Sequence, residues 1–344
     1  MSVAENDLSR IKNSLHGFET RIKGSRFLVT GGAGFIGSWF CDTIISTGGS
    51  VVCVDNMSAG SEKNIAHLKN RGKFRLATED VCKFGTKEKF DYIVHMASMA
   101  SPPLYQKFPI ETLDSGVIGT KRMLELAAKQ KVKGFLFTST SEIYGNPPEN
   151  MVPTPETYYG YVNPHGPRSM YDESKRCAEA YCYSYWKQKD TPVRIARIFN
   201  TYGPRLDAKS QTGYGRALIK FVNLAIKNEP ISMYGNGKQT RSFCYITDQV
   251  EGLLKLLLTP GLDGEVVNTG SEEEVSINNL IKSIIRLTNS SSKVINTKPA
   301  YDITDDPVRR KPDITKAKKI LGWEPKVGLE EGLKKTIEWV KETG

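Results

Sequence analysis

The sequence predicts an α/β protein built on a doubly wound parallel sheet, with a smaller α/β substrate domain that interleaves with it in sequence. Short, uninterrupted apolar runs recur through the first half of the chain, and helical patterns separate most of them. Unbroken apolar runs are typical of parallel strands covered on both faces. Their alternation with helices indicates right-handed crossovers within one sheet.

The same patterns place the individual elements along the chain. We expect strands at residues 26–30, 51–55, 74–77, 91–95, 134–138, 193–199 and 265–268. We expect helices at residues 36–47, 111–130, 169–188, 214–228, 246–258, 277–287 and 329–341. Residues 25–199 would form a cofactor domain, and residues 260–270 would complete its sheet. Residues 200–344 would mainly form the substrate domain. Residues 1–24 are expected to be a surface appendage with a short helix that Asp7 caps.

Composition narrows the class of protein. A chain of 344 residues with a net charge of +10 has room for one extended core or two smaller ones. Lysine and arginine are interspersed with acidic residues, which predicts no nucleic-acid partner but suits anionic small molecules. No apolar run approaches the roughly 20 residues that cross a bilayer, and the polar start does not resemble a secretory signal. We therefore expect a cytoplasmic protein with no membrane partner.

The six cysteines and four histidines are scattered along the chain. They form neither a CxxC pair nor a metal-ligand spacing, which predicts reduced thiols and no metal site.

A glycine-rich turn follows the first predicted strand. Residues 30–37 read TGGAGFIG and lead into the first helix of the predicted sheet. One glycine permits the tight turn, a second lets the backbone approach a pyrophosphate, and a third allows close contact between helix and strand. The helix N-terminus adds free N–H groups. The turn therefore predicts a Rossmann-type dinucleotide site whose contacts are Gly31 (with Gly32 as the alternative turn residue), Gly34, Phe35, Ile36 and Gly37.

Asp55 stands at the end of the next predicted strand. A carboxylate there accepts hydrogen bonds from the adenosine ribose hydroxyls and repels a 2′-phosphate, which favours NAD over NADP. The alternative is an acid that only caps the turn at the end of the strand.

Three Tyr-x-x-x-Lys matches lie close together, and they are Tyr171/Lys175, Tyr183/Lys187 and Tyr185/Lys189. Only the first follows a loop rich in helix breakers, with Ser169 as the predicted N-cap. Residues four apart share a helix face, so Lys175 would lie beside Tyr171 and lower the pKa of the phenol. Tyr171 is therefore the predicted base of a hydride-transfer site.

Thr140 follows the predicted strand at residues 134–138. Open α/β sheets bind ligands at such strand ends, so its hydroxyl can hold a reacting substrate oxygen. Threonines at strand ends also tie down turns, which is the alternative interpretation.

Five longer segments resemble the extended short-chain dehydrogenase/reductase family of NAD-dependent nucleotide-sugar epimerases and dehydratases. They read SPPLY at 101–105, VNPHGPR at 162–168, ARIFNTYGPR at 196–205, GKQTRSF at 237–243 and DDPVRRKPD at 305–313. The resemblance runs from about residue 25 to the C-terminus and is greatest to the UDP-glucuronate decarboxylases of the family. It implies NAD as cofactor, a UDP-sugar as substrate, and a homodimer formed through the helices at 111–130 and 169–188.

The resemblance also implies roles for individual residues. Tyr171 and Lys175 would be the base and its NAD-contacting partner, with Thr140 as the hydroxyl helper. The residues implied around adenosine are Asn56, Ser58, Gly60, Asp80 and Val81. The residues implied around the UDP-sugar are Tyr105, Asn200, Arg216, Tyr234, Gln239, Arg241 and Arg310. Arginine suits a diphosphate because its planar guanidinium pairs with oxyanions through two hydrogen bonds.

Glu142 separates related activities. Residues 140–142 read TSE, as in the decarboxylases, whereas related dehydratases typically have TDE and 4-epimerases typically end this segment with a small residue. Ser141 in place of the acid argues against loss of water. The resemblance implies oxidation of UDP-glucuronate at C4, loss of CO2, and delivery of a proton to C5 by Glu142, directly or through Ser141 or water.

One departure keeps a second activity open. The decarboxylases have Lys-Thr-Asn where this chain has Asp114, Ser115 and Gly116, so a cation expected near an anionic sugar is missing. A UDP-sugar 4-epimerase using Tyr171 and NAD is therefore the alternative, with a non-catalytic NAD-binding sensor as a more distant one. Residues 209–215 are expected to form a flap over UDP.

Overall fold

The central sheet contains seven parallel strands within the residues that the structure describes. The structure is a computed structural model, and it describes residues 1–206, 217–299 and 301–343. The strands are β1 (Arg26–Thr30), β2 (Ser50–Val54), β3 (Phe74–Ala77), β4 (Tyr92–His95), β5 (Gly134–Thr140), β6 (Val193–Ile198), β7 (Thr201–Tyr202), β8 (Ile231–Met233), β9 (Thr240–Ser242), β10 (Cys244–Tyr245), β11 (Val266–Thr269), β12 (Glu274–Ser276) and β13 (Val294–Asn296).

Helices cover both faces of this sheet, as its apolar strands require. They are α1 (Val3–Ser14), α2 (Glu19–Ile22), α3 (Phe35–Ser46), α4 (Pro102–Lys107), α5 (Pro109–Asp114), α6 (Thr120–Gln130), α7 (Ser169–Lys189), α8 (Ala217–Ile226), α9 (Ile246–Leu258), α10 (Ile277–Thr288), α11 (Thr315–Leu321) and α12 (Leu329–Thr343). The predicted α/β class with a doubly wound parallel sheet is therefore confirmed.

The order of the strands identifies where a ligand should bind. Across the sheet it is β11-β6-β5-β4-β1-β2-β3, so the direction of winding reverses between β1 and β4. Thr30 at the end of β1 pairs with His95 at the end of β4. Ligands of open α/β sheets bind outside the carboxyl ends of the strands at such a reversal.

The second half of the chain returns to this sheet and also builds smaller ones. Strand β11 pairs in parallel with β6 and so extends the central sheet. Three further pairs are β7 with β10, β8 with β13, and β9 with β12. The division into cofactor and substrate domains at residue 200 stays a prediction.

The helix expected over residues 111–130 is interrupted. A π-helical turn, Ser115–Gly119, separates α5 from α6. Gly116 packs so closely against α7 that a Cβ atom there would lie 2.5 Å from Ser174 Oγ. Two glycines in the turn lower helix propensity, which the apolar periodicity of the segment did not reveal.

The N-terminal helix differs from the short surface helix that we expected. Its N-cap is Ser2, which forms a capping box with Glu5. Asp7 lies inside the helix, is buried, and accepts a 2.5 Å hydrogen bond from the Tyr245 hydroxyl. Ile11 is fully buried, and the helix packs against α3, α9 and α12. The expected cap and the expected surface position are therefore wrong.

Among the described residues, none of the helices combines the length and the apolar character that a membrane span requires.

Replacing Ile11 with alanine should lower the free energy of unfolding by about 2–5 kcal/mol, because it removes a fully buried side chain from the core. The matched control is Lys12→Ala at the neighbouring exposed position, which should change stability by less than about 0.5 kcal/mol. Urea unfolding of both variants measures the difference. Equal stabilities would show that the N-terminal helix does not contribute to the core.

Candidate active site

The glycine-rich turn between β1 and α3 is shaped for close approach of a ligand. Gly31 has a φ of +70°, which an L side chain rarely adopts, and its N–H donates to the Val54 carbonyl at 2.8 Å. A Cβ atom on Gly37 would collide with the carbonyl oxygen of Gly31. Helix α3 begins after Gly34 without a side-chain cap, and its first turn contains Phe35 and Ile36. The turn therefore fits the pyrophosphate of a dinucleotide.

Asp55 connects this turn to the end of β2. Its carboxylate accepts hydrogen bonds from the backbone N–H groups of Ala33, at 3.0 Å, and Met57, at 2.9 Å. Burial raises the pKa of Asp55, and the two backbone donors oppose that rise. Each oxygen has a second lone pair, so the turn-capping role and the predicted contact with a ribose are compatible.

The residues implied around adenosine lie at the ends of β2 and β3. The Asn56 side chain accepts from the Ser58 N–H at 3.0 Å, and Asp80 accepts from the Cys82 N–H at 2.8 Å. Gly60 packs against the Asp55 carboxylate, and Val81 packs against Gly119. All five therefore follow the carboxyl ends of β2 and β3, which lie on the side of β1 away from β4.

Tyr171 and Lys175 are both buried on the first turns of α7. Lys175 Nζ donates to the Thr138 carbonyl at 2.8 Å and lies 5.9 Å from the centre of the Tyr171 ring. Burial lowers the pKa of Lys175 to about 8. In the other two Tyr-x-x-x-Lys pairs the lysines are exposed. Geometry therefore selects the pair that the sequence selected.

The start of α7 differs from the prediction in one detail. Arg168 occupies the N-cap position, and no side chain caps the helix there. The Ser169 hydroxyl instead donates to the Gly166 carbonyl at 2.8 Å. The predicted cap was wrong because Ser169 is already the first helical residue, where its hydroxyl closes the preceding turn.

Thr140 and Ser141 lie where β5 ends and a short 3-10 turn begins. Thr140 Oγ1 accepts from the Glu142 N–H at 3.3 Å, which leaves the Thr140 hydroxyl hydrogen available to a ligand. Ser141 is buried in the same turn. Thr140 therefore ties down the turn, and its contact with an oxygen of a substrate stays a prediction.

Glu142 is held by two arginines. Arg310 binds both carboxylate oxygens, and Arg168 binds Oε2 as well. Burial opposes ionisation, but the two guanidinium groups outweigh it and lower the pKa of Glu142 to about 2. Glu142 is thus a carboxylate held between arginines, and its role as the donor of a proton stays a prediction. Arg310 likewise pairs with this carboxylate instead of standing ready for a diphosphate.

Glu142 and Arg310 form a charged cluster with Arg168, Asp172 and Asp306, and the last three were not predicted as site residues. Arg168 is 5% exposed and contacts Asp306, at 2.5 Å, and Asp172, at 3.4 Å, besides Glu142. In the sequence, Arg168 is the last residue of the segment VNPHGPR, Asp172 follows Tyr171, and Asp306 lies in the segment DDPVRRKPD. A charge in a motif does not show which partner it faces, so these contacts required the fold.

The residues implied around the UDP-sugar lie next to this cluster or near β8, β9 and β10. Arg241 donates to the carbonyls of Thr240 and Val308, and burial together with Arg310 lowers its pKa to about 10. Gln239 donates to the Tyr234 carbonyl at 3.3 Å. Asn200 donates to the Ser242 carbonyl at 3.4 Å. Arg216 and the flap expected at residues 209–215 lie outside the described residues.

Several buried polar atoms of the site have no hydrogen-bond partner among the residues described. They are Ser98 Oγ, Tyr105 Oη, Asp172 Oδ1 and Arg310 Nε. The Tyr105 ring stacks on the Tyr171 ring at a centroid distance of 5.3 Å, and Arg168 lies 5.8 Å above the Tyr105 ring. Buried polar atoms are normally satisfied, so unpaired atoms on Tyr105, Asp172 and Arg310 fit a site that binds a polar ligand.

A family model described as GDP-mannose 4,6 dehydratase matches residues 28–336 of the chain. The chain belongs to this family. The matched range contains the glycine-rich turn, the Tyr171–Lys175 pair and the charged cluster around Glu142. The family assignment therefore confirms the resemblance found in the sequence.

Individual members of the family are similar over most of the chain. UDP-glucuronic acid decarboxylase 1 of Xenopus tropicalis is 44% identical over 316 residues, which cover 92% of this chain and 72% of the relative. The UDP-glucose 4-epimerase of Thermotoga maritima, solved with UDP-glucose, is 31% identical with a TM-score of 0.83, covering 92% of this chain and 99% of its own. The UDP-glucuronic acid 4-epimerase of Bacillus cereus, solved with UDP-glucuronic acid and NAD, is 26% identical with a TM-score of 0.81, covering 93% and 100%.

Replacing Gly37 with alanine should reduce NAD affinity at least about tenfold, because the added methyl group meets backbone atoms of the glycine-rich turn and must displace it. Gly72→Ala is the matched control, since a Cβ atom there has no neighbour within 4 Å. Calorimetric titration with NAD measures both. Unchanged affinity in the Gly37 variant would place the cofactor elsewhere.

Proposed function

We propose that this protein is an NAD-dependent UDP-glucuronate decarboxylase that forms UDP-xylose and CO2. The observation that carries the proposal is the Thr140–Glu142 turn, which stands at the end of β5 with Glu142 in contact with Arg168. Arg168 directly precedes the helix of Tyr171 and Lys175. Relatives 42–44% identical to this chain carry the name UDP-glucuronic acid decarboxylase.

The first chemical step is oxidation at C4 of the sugar. Bound NAD supplies the chemistry of accepting a hydride from C4 and returning it at the end. Tyr171 removes the proton of the C4 hydroxyl as a phenolate, and the buried Lys175 cation favours that phenolate. Because the cofactor is restored in each cycle, no net redox change accompanies turnover.

The second step is loss of CO2. Oxidation at C4 makes the sugar a β-keto acid, so the electrons of the breaking bond pass to the C4 oxygen as an enolate. The Thr140 hydroxyl and protonated Tyr171 donate hydrogen bonds to that oxygen. Removing a donor of this kind costs about 3–4 kcal/mol in other enzymes. C5 then takes up one proton, and the C4 ketone is reduced back to a hydroxyl with Tyr171 returning its proton.

A UDP-sugar 4-epimerase is the second candidate, because the solved relatives include 4-epimerases that share the fold. Such an enzyme would use Tyr171 in the same way but retain the carboxylate. The departure that favoured it in the sequence is Asp114. This residue lies close enough to the Cys82 thiol to contribute, after burial and Asp80, to raising its pKa to about 12. Asp114 therefore lies near Asp80, a residue that the resemblance implies at adenosine, and this position weakens the argument for epimerisation.

A homodimer belongs to the same proposal. Helices α5 and α7 pack on each other, and the surface around them exposes apolar side chains, among them Ile110, Leu113, Ile118 and Tyr183. Exposed apolar patches of monomers are normally small, so a second copy meeting this surface across a two-fold axis would explain it. A cytoplasmic location is also proposed, and the free thiols of all six cysteines fit a reducing compartment.

Tyr171→Phe should abolish formation of UDP-xylose and CO2, lowering turnover by at least about a thousandfold while UDP binding stays within about twofold. Tyr183→Phe is the matched control, because it alters another Tyr-x-x-x-Lys pair on the same helix and should retain activity. NMR of a reaction with UDP-glucuronate and NAD follows both products. Formation of a 4-epimer without CO2 by the unaltered protein would decide for the second candidate.

Ile110→Glu should weaken the dimer at least about tenfold, because it places a charge in the apolar surface while suiting the first turn of α5. Val294→Glu, at another exposed apolar position, is the control and should leave the dimer intact. Sedimentation equilibrium measures the association. A monomeric unaltered protein, or an undisturbed Ile110 variant, would refute this interface.

A further inference from the structure

Two carboxyl groups on either side of Arg168, the half-buried Glu142 and the buried Asp172, are compensated very unequally. Glu142 receives arginine N–H groups at both oxygens, from Arg310 and from Arg168. Asp172 is 4% exposed, yet its nearest charged contact is Arg168 Nε at 3.4 Å from Oδ2, and Oδ1 has no partner among the described residues. Arg168 is therefore shared by one fully compensated and one poorly compensated carboxyl group.

In the proposed reaction, the unequal pairing of Glu142 and Asp172 with arginines determines which of them can hold a proton. UDP-glucuronate loses its carboxylate as CO2, and the C5 carbon takes one proton in its place, so each turnover consumes a proton from the site. Because both of its oxygens accept from arginines, Glu142 is held as a carboxylate and must receive a proton from a neighbouring group before it can protonate C5. A buried carboxylate with one long contact is, in contrast, the group that protonation stabilises most.

Resting on the proposed function, we propose that Arg168 and Asp172 are positioning residues for Glu142. Arg168 couples the two carboxyl groups into one pair, in which Asp172 holds the proton between turnovers and Glu142 receives it only for the C5 step. The proton passes from Glu142 to C5, which contributes the electron pair freed by loss of CO2. Solvent then restores the proton on the pair, so charge and atoms balance over the cycle.

The charges that face Asp172 support this distribution of the proton. The charged groups are Glu142 after β5, Arg168 before α7 and Arg310 before α11, and the Tyr105 hydroxyl on α4 also interacts with Asp172. Burial and the negative charge of Glu142 raise the pKa of Asp172 to about 7, although both arginines oppose the rise. Two interacting carboxyl groups titrate as a pair, so the first proton is bound near neutral pH.

A proton shared between Glu142 and Asp172 predicts a specific dependence of the rate constant of C5 protonation on pH. Below about pH 7 the pair carries one proton, so the population of protonated Glu142 does not change and the rate constant of C5 protonation is flat. Above that pH the pair is empty, and the rate constant falls about tenfold per pH unit. Without the carboxylate at position 172, Glu142 titrates alone far below neutrality, so the flat region disappears.

Asp172→Asn tests this in the complete protein. With enzyme in excess over UDP-glucuronate, NADH absorbance gives the rate constant of C4 oxidation, and deuterium uptake at C5 with CO2 release gives that of the later step. From about pH 5.5 to about pH 8.5 the unaltered protein should show the flat region and then the fall. The variant should fall throughout and be about tenfold slower than the unaltered protein at about pH 8, with oxidation little changed.

Glu173→Gln, on the neighbouring and more exposed acid, is the matched control and should keep the unaltered profile. A flat region that persists in Asp172→Asn, or a uniform loss of rate at every pH, would overturn the inference. If that variant does not fold, Arg168→Lys replaces it. A single ammonium cannot bridge both carboxyl groups, so the end of the flat region should move to higher pH, and an unmoved end would overturn the inference.

The measurements distinguish failure of the proposed decarboxylase function from failure of the roles proposed for Arg168 and Asp172. Absence of CO2 from UDP-glucuronate with the unaltered protein would remove the decarboxylase activity itself. A normal yield of CO2 with an unaltered pH profile in the variants would remove only the roles of Arg168 and Asp172.

Discussion

The carboxylate of Glu142, whose side chain is only 16% exposed, must be neutralised where it lies, and this requirement determines how the two halves of the chain meet. An unpaired buried carboxylate is too costly to retain, whereas one held by well-placed guanidinium groups is stable. Glu142 comes from the turn after β5, and Arg310 comes from the segment between β13 and α11. Backbone hydrogen bonds from Ser242 to the Arg310 carbonyl, at 3.2 Å, and from Thr154 to the Lys311 carbonyl, at 2.9 Å, hold that segment in place. The ion pair between Glu142 and Arg310 thus connects the segment before α11 to the carboxyl end of β5.

The same cluster is continuous with the reacting tyrosine. Arg168 immediately precedes α7, contacts Glu142, and lies over the Tyr105 ring, which in turn stacks on Tyr171. Lys175 is fixed separately by the Thr138 carbonyl of β5. Strand β5 therefore orients the lysine from one side while the charged cluster orients the tyrosine ring from the other. The packed rings of Tyr105 and Tyr171 therefore link the position of Arg168, and through it that of Glu142, to the position of Tyr171.

The sequence determined the fold more fully than the site, and particular residues show why. Apolar runs with glycine punctuation are local signals, so the strands of the sheet and the turn from Gly31 to Gly37 were predicted correctly. The π-helical turn at Ser115–Gly119 was missed because the apolar periodicity of the segment outweighed its two glycines, and the close packing of Gly116 on Ser174 in another helix is visible only in the fold. Tyr171 could be chosen by its local context. Asp172 and Arg168 could not, since their importance comes from facing Glu142, a contact between residues distant in the chain.

Decarboxylation and epimerisation differ in what the site must do with the sugar carboxylate. A 4-epimerase that acts on a UDP-uronate has to retain that charge through the keto stage, so it gains from cations that neutralise the carboxylate. In this structure both oxygens of Glu142 already engage Arg310, and Arg168 divides its N–H groups among Glu142, Asp306 and Asp172. A sugar carboxylate brought beside this cluster therefore meets an ionised Glu142 and arginines that are already paired. Repulsion between like charges in a buried site favours the product without charge, and that product is CO2.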